Sequence, residues 1–244
     1  MLIFVLSFFS CEFSENLYIN DDGSGKMEFS FDGSAIMELS DKETKSESEE
    51  KVDSTIAFKE LLEEKKDSIS KLSKEEQENL KALERFNLRM LVDPEINQML
   101  FNINTEFKSV DELTNMMEAM NRISKFSDED PIEGADKNTP MDALANGEFS
   151  ELKFTLNNNV FKRTTVITDQ DGYTNALNNL GDMESMYAES NYTLNYYFPK
   201  KIKSISNSNA VLSKDKKSFS LTFEFVDYIK DPEAMNLEVI LEQK

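Results

Sequence analysis

Hydrophobic and polar positions change period several times along this chain. Leu17 and Ile19, then Met27, Phe29 and Phe31, alternate with polar residues on either side of Asp21-Asp22-Gly23-Ser24-Gly25. An Asp-Gly step supplies the positive φ that a tight turn needs, so this pattern predicts a hairpin. Asp41 to Asp53 is charged and serine-rich and predicts a surface loop. Ile56, Phe58, Leu61, Leu62, Ile69 and Leu72 recur at helical spacing, and Ser73-Lys-Glu-Glu76 is a capping box that opens a second helix with Leu80 and Leu83 on one face.

At Phe86 the period drops to two. Phe86, Leu88, Met90 and Val92 alternate up to a turn at Asp93-Pro94-Glu95, and Met99, Phe101, Ile103, Thr105 and Phe107 alternate on the way back. That predicts a second hairpin. Val110 to Ile123 returns to helix, with Leu113, Met116, Met117 and Met120 inward. The stretch from Ser127 to Gly147, with Pro131, Gly134 and Pro140, is the best internal linker or functional loop. A third hairpin pairs Phe149–Leu156 with Val160–Thr168 across three asparagines, and Asp169-Gln-Asp171-Gly172 opens a helix to about Ala188. Strands follow at Tyr192 to Phe198, Ile202 to Ser206, Ala210 to Leu212, Phe219 to Phe225 and Leu237 to Leu241. Hairpins interrupted by helices predict an α+β fold, an antiparallel sheet with amphipathic helices packed on one face.

Composition narrows the function. The 244 residues include 18 phenylalanines, enough for a packed core, and the net charge of −20 repels nucleic-acid phosphates, so no nucleic-acid partner is expected. The same charge disfavours electrostatic docking on anionic lipid. Histidine is absent, which removes histidine-dependent triads and zinc sites. No nucleophile elbow, P-loop or dinucleotide fingerprint is present, and the chain reads as a non-enzyme with no cofactor.

Candidate chemistry is correspondingly sparse. Asp169, Asp171 and Gly172 have the look of a calcium loop, but the first and twelfth ligand positions of such a loop fall on Ile167 and Asn178. A helix N-cap accounts for the same residues. Tyr192, Tyr196 and Phe198 on an aromatic strand are the candidate lining of a cleft for an apolar ligand, with the inner face of a sheet as the bland alternative. Methionines at 116, 117, 120, 183 and 186 read as core filling rather than an adaptable binding surface.

Cys11 is the only cysteine, so no disulfide can form within the chain. It follows the apolar run Met1-Leu-Ile-Phe-Val-Leu-Ser-Phe-Phe-Ser10, too short to span a bilayer and of the character of a secretory segment. No positive charge precedes that run, and a buried N-terminal strand with an ordinary thiol is the alternative. Ser10-Cys11 with polar residues after it resembles the lipobox of bacterial lipoproteins. The resemblance implies a signal peptide at 1–10, lipid on Cys11, a lipidated tether at 11–16 and a single α+β domain at 17–244, with a subdivision, if any, at the 127–147 loop. Glu12 and Glu15 resemble an acidic surface-export signal, and Asp53-Ser54-Thr55 and Asp67-Ser68-Ile69 resemble O-glycosylation acceptors of Bacteroidota.

Asn20-Asp-Asp-Gly-Ser-Gly25 resembles the N-terminal hairpin of uncharacterised flavobacterial lipoproteins, and Phe198-Pro199-Lys-Lys-Ile202-Lys-Ser-Ile205 with Asp231-Pro232 resembles their C-terminal strands. More remotely, the chain is similar to the LppM-type lipoprotein domain, which shares the Asp-Gly-Ser-Gly hairpin. These resemblances imply an envelope lipoprotein, anchored at the outer membrane of a Gram-negative bacterium through Cys11. It would bind an apolar ligand or an envelope protein, or hold other envelope proteins without a pocket.

Overall fold

The computed structural model describes residues 10–35, 37, 51–114, 149–178, 184 and 187–243, apart from the side chains of 75, 76 and 79. The first predicted hairpin forms from β1 (Glu12–Ile19) and β2 (Gly25–Asp32), paired antiparallel. Its turn is built from the residues that marked it. Gly23 sits at φ +84°, and Asp22 Oδ1 accepts the Ser24 N–H at 3.0 Å and its hydroxyl at 2.6 Å. Gly25 is needed for another reason: a Cβ there would collide with the Tyr18 carbonyl and the Phe107 ring.

Further along come β3 (Val52–Ala57), helices α1 (Phe58–Glu64), α2 (Lys66–Ile69) and α3 (Lys74–Ala82), and a 3-10 turn (Leu83–Arg85). The second hairpin is β4 (Phe86–Asp93) with β5 (Gln98–Phe107), and the third is β6 (Ser150–Asn157) with β7 (Val160–Ile167). Asn158 and Asn159 take the third turn with φ of 51° and 66°, values asparagine tolerates better than most residues. Then follow α4 (Gln170–Asn178), β8 (Asn191–Tyr197), β9 (Ile202–Ile205), β10 (Val211–Leu212), β11 (Ser218–Glu224), α5 (Phe225–Lys230), a 3-10 turn (Pro232–Met235) and β12 (Leu237–Leu241).

The strands make an eight-stranded sheet, in the order β10-β11-β8-β1-β2-β5-β4-β3, and a four-stranded sheet, β6-β7-β12-β9. The fold is α+β and its pairing is antiparallel with one exception. β1 and β8 run parallel, Glu12 beside Asn191 through Tyr18 beside Tyr197. That pair puts the first strand in the middle of the large sheet. One face of β1 carries Phe13, Glu15, Leu17 and Ile19, all buried, and joins a core to which the small sheet contributes Phe154, Phe161, Leu237, Val239 and Leu241. Phe161 meets Tyr196 and Phe198 edge-on at 5.6 and 5.4 Å between ring centroids. α5 closes one end of this core, with Phe225 stacked on Phe13 at 4.0 Å.

Several expectations are corrected. Residues 12–16 are no tether but the first part of β1. Val52 to Ala57 is an edge strand paired with β4, although Asp53 was read as loop and Ile56 as helix. The β-branched Val52, Thr55 and Ile56 favour that pleated conformation. Of the proposed helical stripe only Phe58 is buried, and Ile56 is 39% exposed. Phe225 begins α5 rather than ending β11. Helix 110–123 is described only at its start, where Val110 and Leu113 are buried. Met116, Met117, Met120, Met183, Met186, the 127–147 loop and most of the 41–53 segment lie outside the described residues, as does much of the helix drawn to Ala188.

The aromatic seam between the sheets sets the stability. Phe161→Ala is expected to cost about 3–5 kcal/mol, the range for truncating a fully buried phenylalanine. Urea unfolding followed by far-UV circular dichroism reads the loss as a lower midpoint at unchanged slope.

Candidate functional site

The alternation that turns Leu17 inward also turns Glu15 inward, and the alternation that buries Phe161 buries Arg163 two residues on. Both charges are withdrawn from water, Arg163 at 2% exposure and Glu15 at 0%. Charges so placed persist only when paired and hydrogen-bonded. They meet across the gap between the sheets, Arg163 Nη2 donating to Glu15 Oε2 at 3.3 Å. The Tyr192 hydroxyl donates to the same oxygen at 3.1 Å, and the Tyr196 hydroxyl donates to Oε1. Arg163 Nη1 reaches Thr165 Oγ1 at 3.3 Å and the Met235 carbonyl at 3.4 Å. Its Nε has no hydrogen-bond partner among the described residues. Asn236 holds β7 from the other side, accepting the Thr165 N–H and donating to the Thr165 carbonyl.

The electrostatics follow from this geometry. Burial alone would lower the Arg163 guanidinium, but Glu15 and the surrounding tyrosines outweigh it and hold it above its ordinary range. Tyr192 and Tyr196 are pushed well above theirs by burial first and by the Glu15 charge second. The hydroxyls therefore stay protonated as donors. A cluster of this kind orders a core; no open space beside it is described for a reacting molecule.

Tyr192, Tyr196 and Phe198, offered from the sequence as a ligand cleft, are thus brought together but as interior. They are 5, 0 and 4% exposed, and two of the three hydroxyl-bearing or aromatic tips are engaged by Glu15. Glu15 is likewise no exposed acidic signal in the folded chain. Sequence reasoning missed Glu15 and Arg163 as a pair. The available signal was parity, since each falls on the inward set of its own strand.

Cys11 lies immediately before β1. Its side chain is 3% exposed and packs in the core, and its carbonyl accepts the Asn191 N–H at 3.2 Å. Burial pushes the thiol up to about 11 against the opposing effect of a hydrogen bond from Ser190. This position is the one the ordinary-thiol alternative describes. Ser54 is half-buried within β3, and Ser68 is exposed in α2.

Asp169 caps α4, its Oδ1 accepting the Gly172 N–H at 3.0 Å. Among the described residues no group of three or more acidic, cysteine or histidine side chains could hold a metal ion.

The outward face of the large sheet is polar. Asn195 donates to Asn16 at 3.0 Å and Asn102 to Ser30 at 2.9 Å, while Thr193 and Thr222 share a bond of 3.0 Å. A shallow cavity of about 480 Å³ opens on it beside Glu12, Ser14, Glu28, Ser30, Arg89 and Asn102. Nearby, Tyr18 and Tyr197 stack at 4.6 Å and remain 37 and 41% exposed.

No protein-family model matches the chain, and no curated protein does. The flavobacterial resemblance therefore has no counterpart in these comparisons. Among solved structures, the folded domain of Mycobacterium tuberculosis LppM aligns over 96% of this chain and 90% of its own, at 7% identity and a TM-score of 0.38. No helix among the described residues is long and apolar enough to cross a membrane.

Removing one charge of the buried pair should hurt more than removing both. Arg163→Met leaves Glu15 without its cation and is expected to cost about 3–5 kcal/mol. Adding Glu15→Leu to it should restore part of that loss, the remainder reflecting tyrosine hydroxyls that lose their acceptor. Urea midpoints of the wild type, single and double variants check this order.

Alkaline pH should also destabilise the fold. Cys11, Tyr192 and Tyr196 all have native values raised above their unfolded ones, so their contribution is whole below about pH 9 and is lost as pH rises through the native values. The melting temperature should fall from pH 9 to 11, and Cys11→Ala should delay the onset of the fall.

Proposed function

We propose that this chain is a non-catalytic envelope lipoprotein, anchored through lipid on Cys11 and presenting the polar face of its large sheet to a protein partner. The observation that carries the reading is the apolar leader that runs through Ser10 straight into the only cysteine. Burial of the Cys11 side chain in the folded domain does not oppose it, because lipobox-type acylation acts on the chain at the membrane before the domain closes. The outer membrane of a Gram-negative cell is the compartment this reading implies.

A protein partner is better supported than an apolar ligand. The aromatic residues that would have lined an apolar cleft are consumed in the core, whereas the open surface offers amides, hydroxyls and carboxylates around a shallow cavity. The exposed Tyr18–Tyr197 stack adds the kind of rigid aromatic contact that protein interfaces favour. A binding rather than catalytic role also fits a chain without histidine.

Radiolabelled palmitate fed to expressing cells tests the anchor. Wild-type protein should take up label and partition with membranes, and Cys11→Ser should do neither; equal labelling of the two would remove the reading.

A further inference from the structure

The lipobox reading, on which this inference rests, fixes where the chain leaves the bilayer, and the fold then fixes how the domain stands on it. Glu12 is the first residue of β1, so no spacer separates a lipid on Cys11 from the centre of the large sheet. Pairing makes that end rigid: Glu12 lies beside Asp32 on one side and Asn191 on the other, and Asn191 lies beside Glu224.

The register also says what shares this end. Asp32 pairs with Leu100, and Asp93 pairs with Gln98, so the β4–β5 turn projects past the row that contains Glu12. That turn carries Ile96, which is 66% exposed. The opposite end holds the Asn20–Ser24 turn and the turn between β10 and β11, since Ser218 pairs with Tyr197 and Tyr197 with Tyr18. β1 spans eight residues, and at about 3.4 Å per residue the two ends stand roughly 25 Å apart.

We propose that the Cys11 end of the large sheet, including the β4–β5 turn with Ile96, is the face that meets the bilayer, with the strands directed away from it. Ile96 touches the headgroup region, while Glu12, Asp32, Glu95 and Glu224 keep the rest of this end from sinking further, because carboxylates are repelled by anionic headgroups within about a Debye length of 8–10 Å. Both faces of the sheet then look sideways, and the polar face with its cavity stays open to a partner lying along the membrane.

A lipid-blocked Cys11 makes single-site labelling simple. Glu95→Cys places a thiol in the β4–β5 turn and Lys214→Cys places one in the β10–β11 turn; both native residues are exposed. Each full-length variant, purified from membranes, is labelled with a fluorescent maleimide and reconstituted in phosphatidylcholine vesicles containing a headgroup-nitroxide lipid. The expected result is strong quenching of the Glu95→Cys label and at least threefold less quenching of the Lys214→Cys label. Equal quenching at the two sites, or more at Lys214→Cys, would overturn the orientation while leaving the anchor intact. The unsubstituted protein, denatured and treated with the same maleimide, tests the anchor separately. It should take up no label, and full labelling would show a free Cys11 and overturn both.

Discussion

One buried carboxylate organises the interior. Glu15 receives Arg163 from the small sheet and the hydroxyls of Tyr192 and Tyr196 from a neighbouring strand, so three segments far apart in sequence converge on two oxygen atoms. A charge hidden from water tolerates few arrangements. Apolar contacts between the sheets could slide by a residue at modest cost. A slip of the small sheet that parted Arg163 from Glu15 would leave two charges stranded, and a slip of β8 would take away the donors. The pair therefore specifies how the sheets sit more than it stabilises them.

The parallel β1–β8 ladder has the same dependence. It joins residues about 180 positions apart, and Glu15 lies beside Leu194, between the two tyrosines that donate to it. Around that seam the aromatic rings fill space in both directions, Phe13 against Phe225 and Phe161 against Tyr196. With the interior committed in this way, surface for recognition is left on the outward side, where amide and hydroxyl side chains tie neighbouring strands together and two tyrosines stand exposed.

Local signals in the sequence were read well where the physics is local. Asp-Gly at residues 22–23, the Asp-Pro turn at 93–94 and the three asparagines at 157–159 each marked a hairpin that forms. The α+β class followed from them. What escaped was set by tertiary contact. The strand 52–57 has a helical stripe running into it and is decided by pairing with β4. The place of β1 in mid-sheet comes from a partner that no local pattern names, which is why residues 12–16 looked like a tether. Tyr192, Tyr196 and Phe198 were legible as an aromatic strand, but whether such a strand lines a cleft or fills a core depends on what faces it. Arg163 and Glu15 face it here.

The functional account rests on the modification of Cys11, and mass spectrometry of the N-terminal peptide from membrane-extracted protein tests it most directly. The account predicts a mature chain that begins at Cys11 and carries a diacylglyceryl group on its sulfur. A peptide that runs through Ser10 into an unmodified cysteine would contradict it, leaving Cys11 as an ordinary core thiol at the start of β1.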